Sequence, residues 1–237
     1  MHSIGTPADV EQASGSEDTV SFTVKGSGET LVLDNCAVIV AGYTGRDAHA
    51  VQEHIDELAA IGIAPPPQVP MFYPVELASV TSSESVSVVG ERTSGEIEPL
   101  YIRHGGRYFL GLASDHTDRE LEAIDIPRSK AACPKPVGRE IIEIPDLSTF
   151  SLDDARARSW VDGELYQEGT LSNLRTPSNV IELLIENHGR NDEDFLCLGG
   201  TLPVIGGAFK YGTEWKLELA LDENTILTHT YRITEGN

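Results

Sequence analysis

From residue 20 onward the chain repeats one device: a few residues of apolar–polar alternation, then a turn. V-S-F-T-V-K (Val20–Lys25) alternates with period two, and so do E-W-K-L-E-L-A-L and T-I-L-T-H-T-Y-R-I near the C-terminus, joined at D-E-N. Successive side chains of an extended chain point to opposite faces, so each run buries one face and wets the other. Many short runs of this kind can satisfy their backbone groups only by pairing edge to edge. Gly26-Ser27-Gly28 turns the first run back on T-L-V-L-D, which makes residues 19–36 a hairpin. Ala37–Ala41 is apolar throughout, as a buried strand is. S-V-S-V-V, E-I-E-P-L-Y-I and R-Y-F-L-G-L-A-S follow as further strands between glycine-containing turns.

Helical signals are few. After Gly42-Tyr43-Thr44-Gly45, the run from Arg46 to Ile61 places Val51, Ile55, Leu58 and Ala59 on one face, and Gly62 ends it. Pro65-Pro66-Pro67 forces an extended connector, and M-F-Y-P-V is extended too. Val75–Thr81 fits neither pattern. Thr117–Ile124 reads as a helical turn and Asn179–Glu186 as a short helix. No internal repeat is present. The expected fold is α+β and β-rich, a mixed β-roll or barrel with few short helices. Three segments are expected: a polar, acidic leader over 1–18, disordered by composition; the hairpin, 19–36; and a catalytic domain, 37–237.

Charge narrows the function. The chain has 38 acidic residues against 17 basic ones, a net charge of −21. Phosphate backbones and anionic membrane surfaces reward lysine and arginine, so neither nucleic acid nor membrane is expected as a partner. Two readings of the acidity stay open: adaptation to high salt, which screens self-repulsion, or an ordinary acidic protein. A rise in melting temperature with molar KCl would separate them. No stretch reaches membrane-span length, and the N-terminus lacks the basic and apolar regions of a secretory signal. Cys36, Cys133 and Cys197 are far apart and show no zinc spacing, which fits a reducing, cytoplasmic setting.

The candidate chemistry begins at Glu96-Ile97-Glu98. Residues i and i+2 of a strand share a face, so two carboxylates meet there. A divalent cation relieves their repulsion and desolvation, and oxygen-only ligands suit Mg²⁺, Mn²⁺ or Ca²⁺. A solvent-facing strand edge is the plainer reading of an isolated E-x-E. Seventeen residues on, R-Y-F-L-G-L-A-S ends at Ser114-Asp115, which offers a third carboxylate. Asp115 alone reads more readily as a helix N-cap. Arg119, one helical turn later, can meet an anion bidentately.

At these residues the sequence resembles the fumarylacetoacetate hydrolase superfamily. That family carries an E-x-E strand and then D-x-[ST]-x-R-[DE], here Asp115-His116-Thr117-Asp118-Arg119-Glu120. A lysine and a Pro/Gly segment follow, here S-K-A-A-C-P-K-P-V-G with Lys130 in the lysine's place. The family's N-G-x-x-x-Q-x-G hairpin is matched by V-D-G-E-L-Y-Q-E-G, which includes Gln167. Its G-T-P turn is matched by G-G-T-L-P, which includes Thr201. Upstream, G-R-D-A-H-A-V-Q-E-H-I-D-E is similar to the family's G-R-N-Y-x-x-H-x-x-E. His54 and Glu57 take the paired positions, and His49 competes with His54. The resemblance runs from about Ala37 to Ile233. Pro99 after the E-x-E, Tyr73 in place of a connector lysine, and Leu202 inside the G-T-P turn depart from the pattern.

The resemblance implies a metal held by Glu96, Glu98 and Asp115, and catalytic roles for His54, Glu57 and Lys130. Arg119, Gln167 and Thr201 would bind substrate. The implied activity is hydrolysis of a C–C bond in a small 2-oxo-acid or 1,3-dicarbonyl, acylpyruvate-like, through a metal-stabilised enolate. His54, oriented by Glu57, would activate water on a helix that closes as a lid. Decarboxylation or enol–keto isomerisation on the same metal site is the alternative, and a non-catalytic metabolite- or metal-binding protein is the third. A homodimer is also implied. On the residues alone, His49 and His54 fit exposed helix positions and Lys130 a surface lysine. His104 and His116 read as loop histidines, Trp160 and Trp215 as core anchors, and Cys133 as a small buried residue.

Overall fold

The computed structural model describes residues 18–60, 64–189 and 192–236, without the side chains of His54, Glu57, Leu58 and His188. The leader therefore lies almost wholly outside the described residues, as do Ile61 and Gly62. Among the described residues strands far outweigh helices, so the β-rich expectation stands.

The larger sheet has eight strands. From one edge to the other they are Thr30–Asp34, Thr19–Val24, Glu140–Ile144, Arg107–Ser114, Ile97–His104, Phe195–Leu198, Ala37–Gly42 and Met71–Val75. Most pairings are antiparallel, but Thr19–Val24 runs parallel to Glu140–Ile144, and Phe195–Leu198 parallel to Ala37–Gly42. The first hairpin does form, with Val20 opposite Leu33 and Phe22 opposite Leu31. Through its parallel pairing it is an integral part of this sheet. A second sheet orders Glu164–Thr170, Arg156–Val161, Glu214–Ala220, Ile226–Glu235 and Ser85–Val88.

The larger sheet curls into a half-barrel. One apolar cluster gathers Val20, Phe22, Leu31 and Leu33 with Val38, Val40, Leu100, Ile102 and Leu198. It joins strands from opposite ends of the strand order, as curling requires. Ile39, Ala41, Tyr101 and Cys197 alternate with those residues and face the other way, against Trp215, Leu217 and Leu219 of the second sheet. Ala37–Gly42 is therefore covered on both faces, which explains its unbroken apolar run. Trp215 is fully buried, but Trp160 is only half-buried beneath Arg158 and Lys216.

Helices lie at the sheet's ends and connections. Ala48–Ala60 starts where the Asp47 carboxylate accepts from the N–H groups of His49 and Ala50. Ile55 is buried and Val51 half-buried, while Ala59 is exposed, so the buried face is narrower than the sequence suggests. The expected helix near Asn179–Glu186 spans Pro177–His188, with Thr176 as its N-cap and Gly189 in the left-handed conformation after it. Val75–Thr81 contains a short 3₁₀ turn, Leu77–Ser79, and a two-residue strand. Among the described residues no helix is long and apolar enough to cross a membrane.

Candidate active site

Two central strands position the first acids. Ile97–His104 and Arg107–Ser114 form a hairpin in which Ile97 pairs with Ser114 and Glu98 with Ala113. The Asp115 N–H donates to the Glu96 carbonyl at 2.9 Å. Glu96 and Asp115 thus face each other at the hairpin's open end. Neither member of the doublet lies on the outer wall: Glu98 is 3% exposed, and the Glu96 side chain 14%.

Asp115 is not a helix cap. Asp118 caps the helix Arg119–Glu122 by accepting from the N–H groups of Glu120 and Leu121. The Asp115 carboxylate is left to two lysines. Lys130, in the last turn of the helix Ile126–Ala131, donates to it at 2.6 Å, and Lys135 stands 3.3 Å away. Lys130 is thus a buried lysine, not a surface one. Lys135 also donates to the carbonyls of His116 and Cys133. Arg119 reaches Glu96 at 3.2 Å and Glu122 at 2.6 Å, and it donates to the Ser94 hydroxyl. Glu122 also takes Lys130, at 3.3 Å. The exposed Phe209 ring lies 4.0 Å from the Arg119 guanidinium.

Four carboxylates, Glu96, Glu98, Asp115 and Glu122, therefore face three cations, Arg119, Lys130 and Lys135. Burial pushes Asp115 and Glu122 toward protonation, but the adjacent cations overturn this and hold both below the usual carboxylate range. Lys130 is likewise raised by Asp115, Glu122 and Glu96 against its burial. The other two acids differ. Burial raises Glu96 despite Arg119 and Lys130. Burial, then the charges of Asp115 and Glu96, push Glu98 well above its ordinary value, and the Gly200 N–H at 2.8 Å offsets only part of this. The cluster is short of positive charge at Glu98. Lys135 is held low by burial and by Lys130.

A divalent ion suits this deficit, and three carboxylates are the hard oxygen donors such an ion prefers. As placed, however, no three His, Cys, Asp or Glu side chains among the described residues form a ligating group. Arg119 occupies Glu96 and the lysines occupy Asp115, so joint ligation needs side-chain rotation within the pocket. The donors fit an ion by their chemistry. Two surface depressions, of about 340 Å³ beside Arg107 and Glu143 and about 240 Å³ along Ala37–Ile39, lie away from the cluster.

The side chains expected to bind substrate already have protein partners. Arg119 is committed to Glu96, Glu122 and Ser94, and only 4% of its side chain is exposed. Gln167 is fully buried and spends its whole amide on protein. Its Oε1 accepts from the Ile97 N–H and the Ser159 hydroxyl, and its Nε2 donates to Thr201 and the Leu202 carbonyl. Thr201 donates in turn to the Ile97 carbonyl at 2.7 Å. Gln167 and Thr201 brace the backbone between the paired glutamates, and of the three only Thr201 is half-exposed. The side chains of His54 and Glu57 lie outside the described residues. The competing His49 is solvent-exposed beside Glu53.

The sequence reading missed Glu122, Lys135 and His116. His116 is fully buried, not a loop histidine: its Nδ1 meets the Tyr231 hydroxyl and its Nε2 the Thr93 hydroxyl, each at 3.0 Å. Burial, then Lys135 and Arg119, push it down to about 3, so it is neutral. His104 pairs with Asp194 at 2.8 Å. Glu122 had a sequence signal, the i, i+3 spacing from Arg119; Lys135 had only its place beside proline.

No curated protein matches the sequence. Solved structures do. A fumarylpyruvate hydrolase from Pseudomonas aeruginosa, in complex with Mn²⁺ and pyruvate, superimposes with a TM-score of 0.61 at 17% identity, over 95% of this chain and all of that one. A fumarylpyruvate hydrolase candidate from Burkholderia cenocepacia gives 0.62 at 18% identity, over 100% and 99% of the two chains. A 2-keto-3-deoxyarabinonate dehydratase gives 0.58 at 16% identity, over 88% and 78%. The fold is therefore that of the fumarylacetoacetate hydrolase superfamily, as the motifs imply. A family model described as "Protein of unknown function (DUF2848)" matches residues 41–231, and the chain belongs to that family.

Proposed function

We propose that the chain is a divalent-metal-dependent enzyme that hydrolyses a C–C bond in a small, acylpyruvate-like 2-oxo-acid. One observation carries this: the Glu96–Glu98 doublet and Asp115, 17 residues further on, are buried in one charge cluster whose cations leave Glu98 under-compensated. The same fold holds Mn²⁺ and pyruvate in the Pseudomonas protein, which supports the reading.

An ion held by these three carboxylates, Mg²⁺ or Mn²⁺ by preference, supplies Lewis acidity toward adjacent oxo and carboxylate oxygens. Lys130, 2.6 Å from Asp115, supplies a second positive charge and a transferable proton beside developing negative charge. Arg119 holds Glu96 in orientation. Gln167 fixes the Ile97 backbone, and the half-exposed Thr201 would meet substrate. His54, on the helix Ala48–Ala60, would take the proton from the attacking water, with Glu57 as its expected partner. The glycines flanking Tyr43 and Thr44 let that helix move over the site.

The test is turnover of an acylpyruvate panel by the full chain with Mg²⁺ or Mn²⁺, and again after EDTA. Cleavage that survives complete chelation would refute the metal's role. His54→Ala should keep metal binding and lose hydrolysis. Decarboxylation or isomerisation on the same carboxylates is the second reading, since the fold also carries a dehydratase; turnover of an oxaloacetate-like acid unaffected by His54→Ala would favour it. Binding of oxo-acids without turnover across the panel would favour a non-catalytic protein. A homodimer in a reducing, cytoplasmic setting belongs to the same proposal, and light scattering checks the dimer.

A further inference from the structure

Behind the carboxylates lies a polar node that the mechanism does not use. The Tyr231 hydroxyl bonds to the Ser114 hydroxyl at 2.8 Å and to His116 Nδ1 at 3.0 Å. His116 Nε2 continues to Thr93 at 3.0 Å. All four side chains are buried, and both rings pack on Trp215. Ser114 and His116 flank Asp115 in the chain, and Thr93 lies three residues before Glu96. Gly95, immediately before Glu96, touches the same node: a Cβ there would stand 2.3 Å from the Tyr231 oxygen and 2.4 Å from Ser114 Oγ. Tyr231 itself comes from the second sheet, opposite Trp215 in the pairing of Glu214–Ala220 with Ile226–Glu235. One hydroxyl thus ties the Asp115 segment directly, and the Glu96 segment through His116 and Thr93, to a strand that belongs to neither.

We propose that Tyr231 is a positioning residue that sets the spacing of the Glu96 and Asp115 carboxylates through Ser114, His116 and Thr93. This rests on the metal-site reading above. Without the hydroxyl, Ser114 and His116 lose their shared partner, and the two segments are left with the His116–Thr93 bond, the Arg119 bonds to Ser94 and their backbone pairing, none of which reaches the second sheet. Groups one step behind metal ligands commonly set affinity in this way.

The experiment measures Mn²⁺ binding to the full chain by the electron paramagnetic resonance of free Mn²⁺, alongside thermal unfolding without metal. Tyr231→Phe should weaken binding roughly 10- to 100-fold. Tyr231→Phe combined with Ser114→Ala should add little, because the tyrosine change already removes the bond that Ser114 makes. Leu219→Ala, which damages the same core without touching the node, should lower the melting temperature and leave affinity within about threefold. If Tyr231→Phe fails to fold, Ser114→Ala carries the test. Affinity within about threefold of the parent in Tyr231→Phe, with melting lowered as in Leu219→Ala, would reduce Tyr231 to packing and overturn the proposal. A parent protein that binds no Mn²⁺ would overturn the metal reading itself and this inference with it, which distinguishes the two failures.

Discussion

Gly200→Ala makes a sharp quantitative prediction, because two independent penalties meet at that residue. Its φ is +101°, which side-chain-bearing residues rarely adopt, and a Cβ there would stand 1.7 Å from Thr44 Oγ1 and 2.9 Å from its Cβ. Thr44 is 3% exposed and cannot swing into solvent. Backbone strain of this kind costs about 1–3 kcal/mol. Overpacking a buried contact costs about 1–3 kcal/mol more, and the lower entropy of the unfolded alanine chain returns about 0.4–1 kcal/mol. The expected loss is about 3 kcal/mol, or about 6–12 °C in melting temperature for a chain of this size. Gly163→Ala is the matched control: its φ is +83°, but nothing lies within 4 Å of the added Cβ. It should cost only about 1 kcal/mol. Urea unfolding of both variants, read by fluorescence, gives the difference. If the two agree within about 0.5 kcal/mol, the Thr44 contact is not rigid and the reasoning fails. Gly200→Ala should also weaken metal binding, because the clash moves the N–H that meets Glu98 at 2.8 Å.

Three further outcomes follow from the charges. Glu98 titrates well above its ordinary value in the folded state, so its contribution to stability is lost as pH rises past about 4.3; Glu98→Gln should stabilise the metal-free protein at pH 7 by about 1–3 kcal/mol in calorimetry while abolishing Mn²⁺ binding. His116 is pushed down to about 3, so the unfolded chain binds the extra proton between about pH 6.5 and 3; acid titration of unfolding should show a loss of about 2 kcal/mol by pH 5 from this residue, absent in His116→Gln. Lys135→Met should cost about 3–5 kcal/mol, because it leaves the buried Asp115 to Lys130 alone and strands two carbonyls in the core; a loss below about 1 kcal/mol by urea unfolding would show that Lys130 alone satisfies Asp115.

Much of the framework was legible because strand burial is local information. The alternation of Val20, Phe22 and Val24, and of Trp215, Leu217 and Leu219, is written in neighbouring residues, and both runs are strands with those residues inside. The E-x-E doublet and Asp115 were legible as motifs. What their neighbours do was not. Gln167 and Thr201 carry donors and acceptors, so sequence alone offers them to a substrate; only the fold shows Ile97, Ser159 and Leu202 using them. His116 had no visible partner because Tyr231 lies 115 residues away. Lys135 and Glu122 joined the site through the turn between two short helices, whose direction no periodicity encodes.

The hairpin that carries the acids has a further consequence for how the gene can vary. Glu96 and Asp115 sit where its two strands part, while the tip at Gly105-Gly106 is at the far end, with open space around both glycines. Lengthening the loop there leaves the acids where they are, since strand pairing and not contour length sets their separation. A single residue deleted within Arg107–Ser114 would do the opposite, turning the following side chains to the other face. Tolerance of insertion and intolerance of deletion should therefore lie within eight residues of each other on one strand, and the tip is a natural place to attach a tag or a reporter.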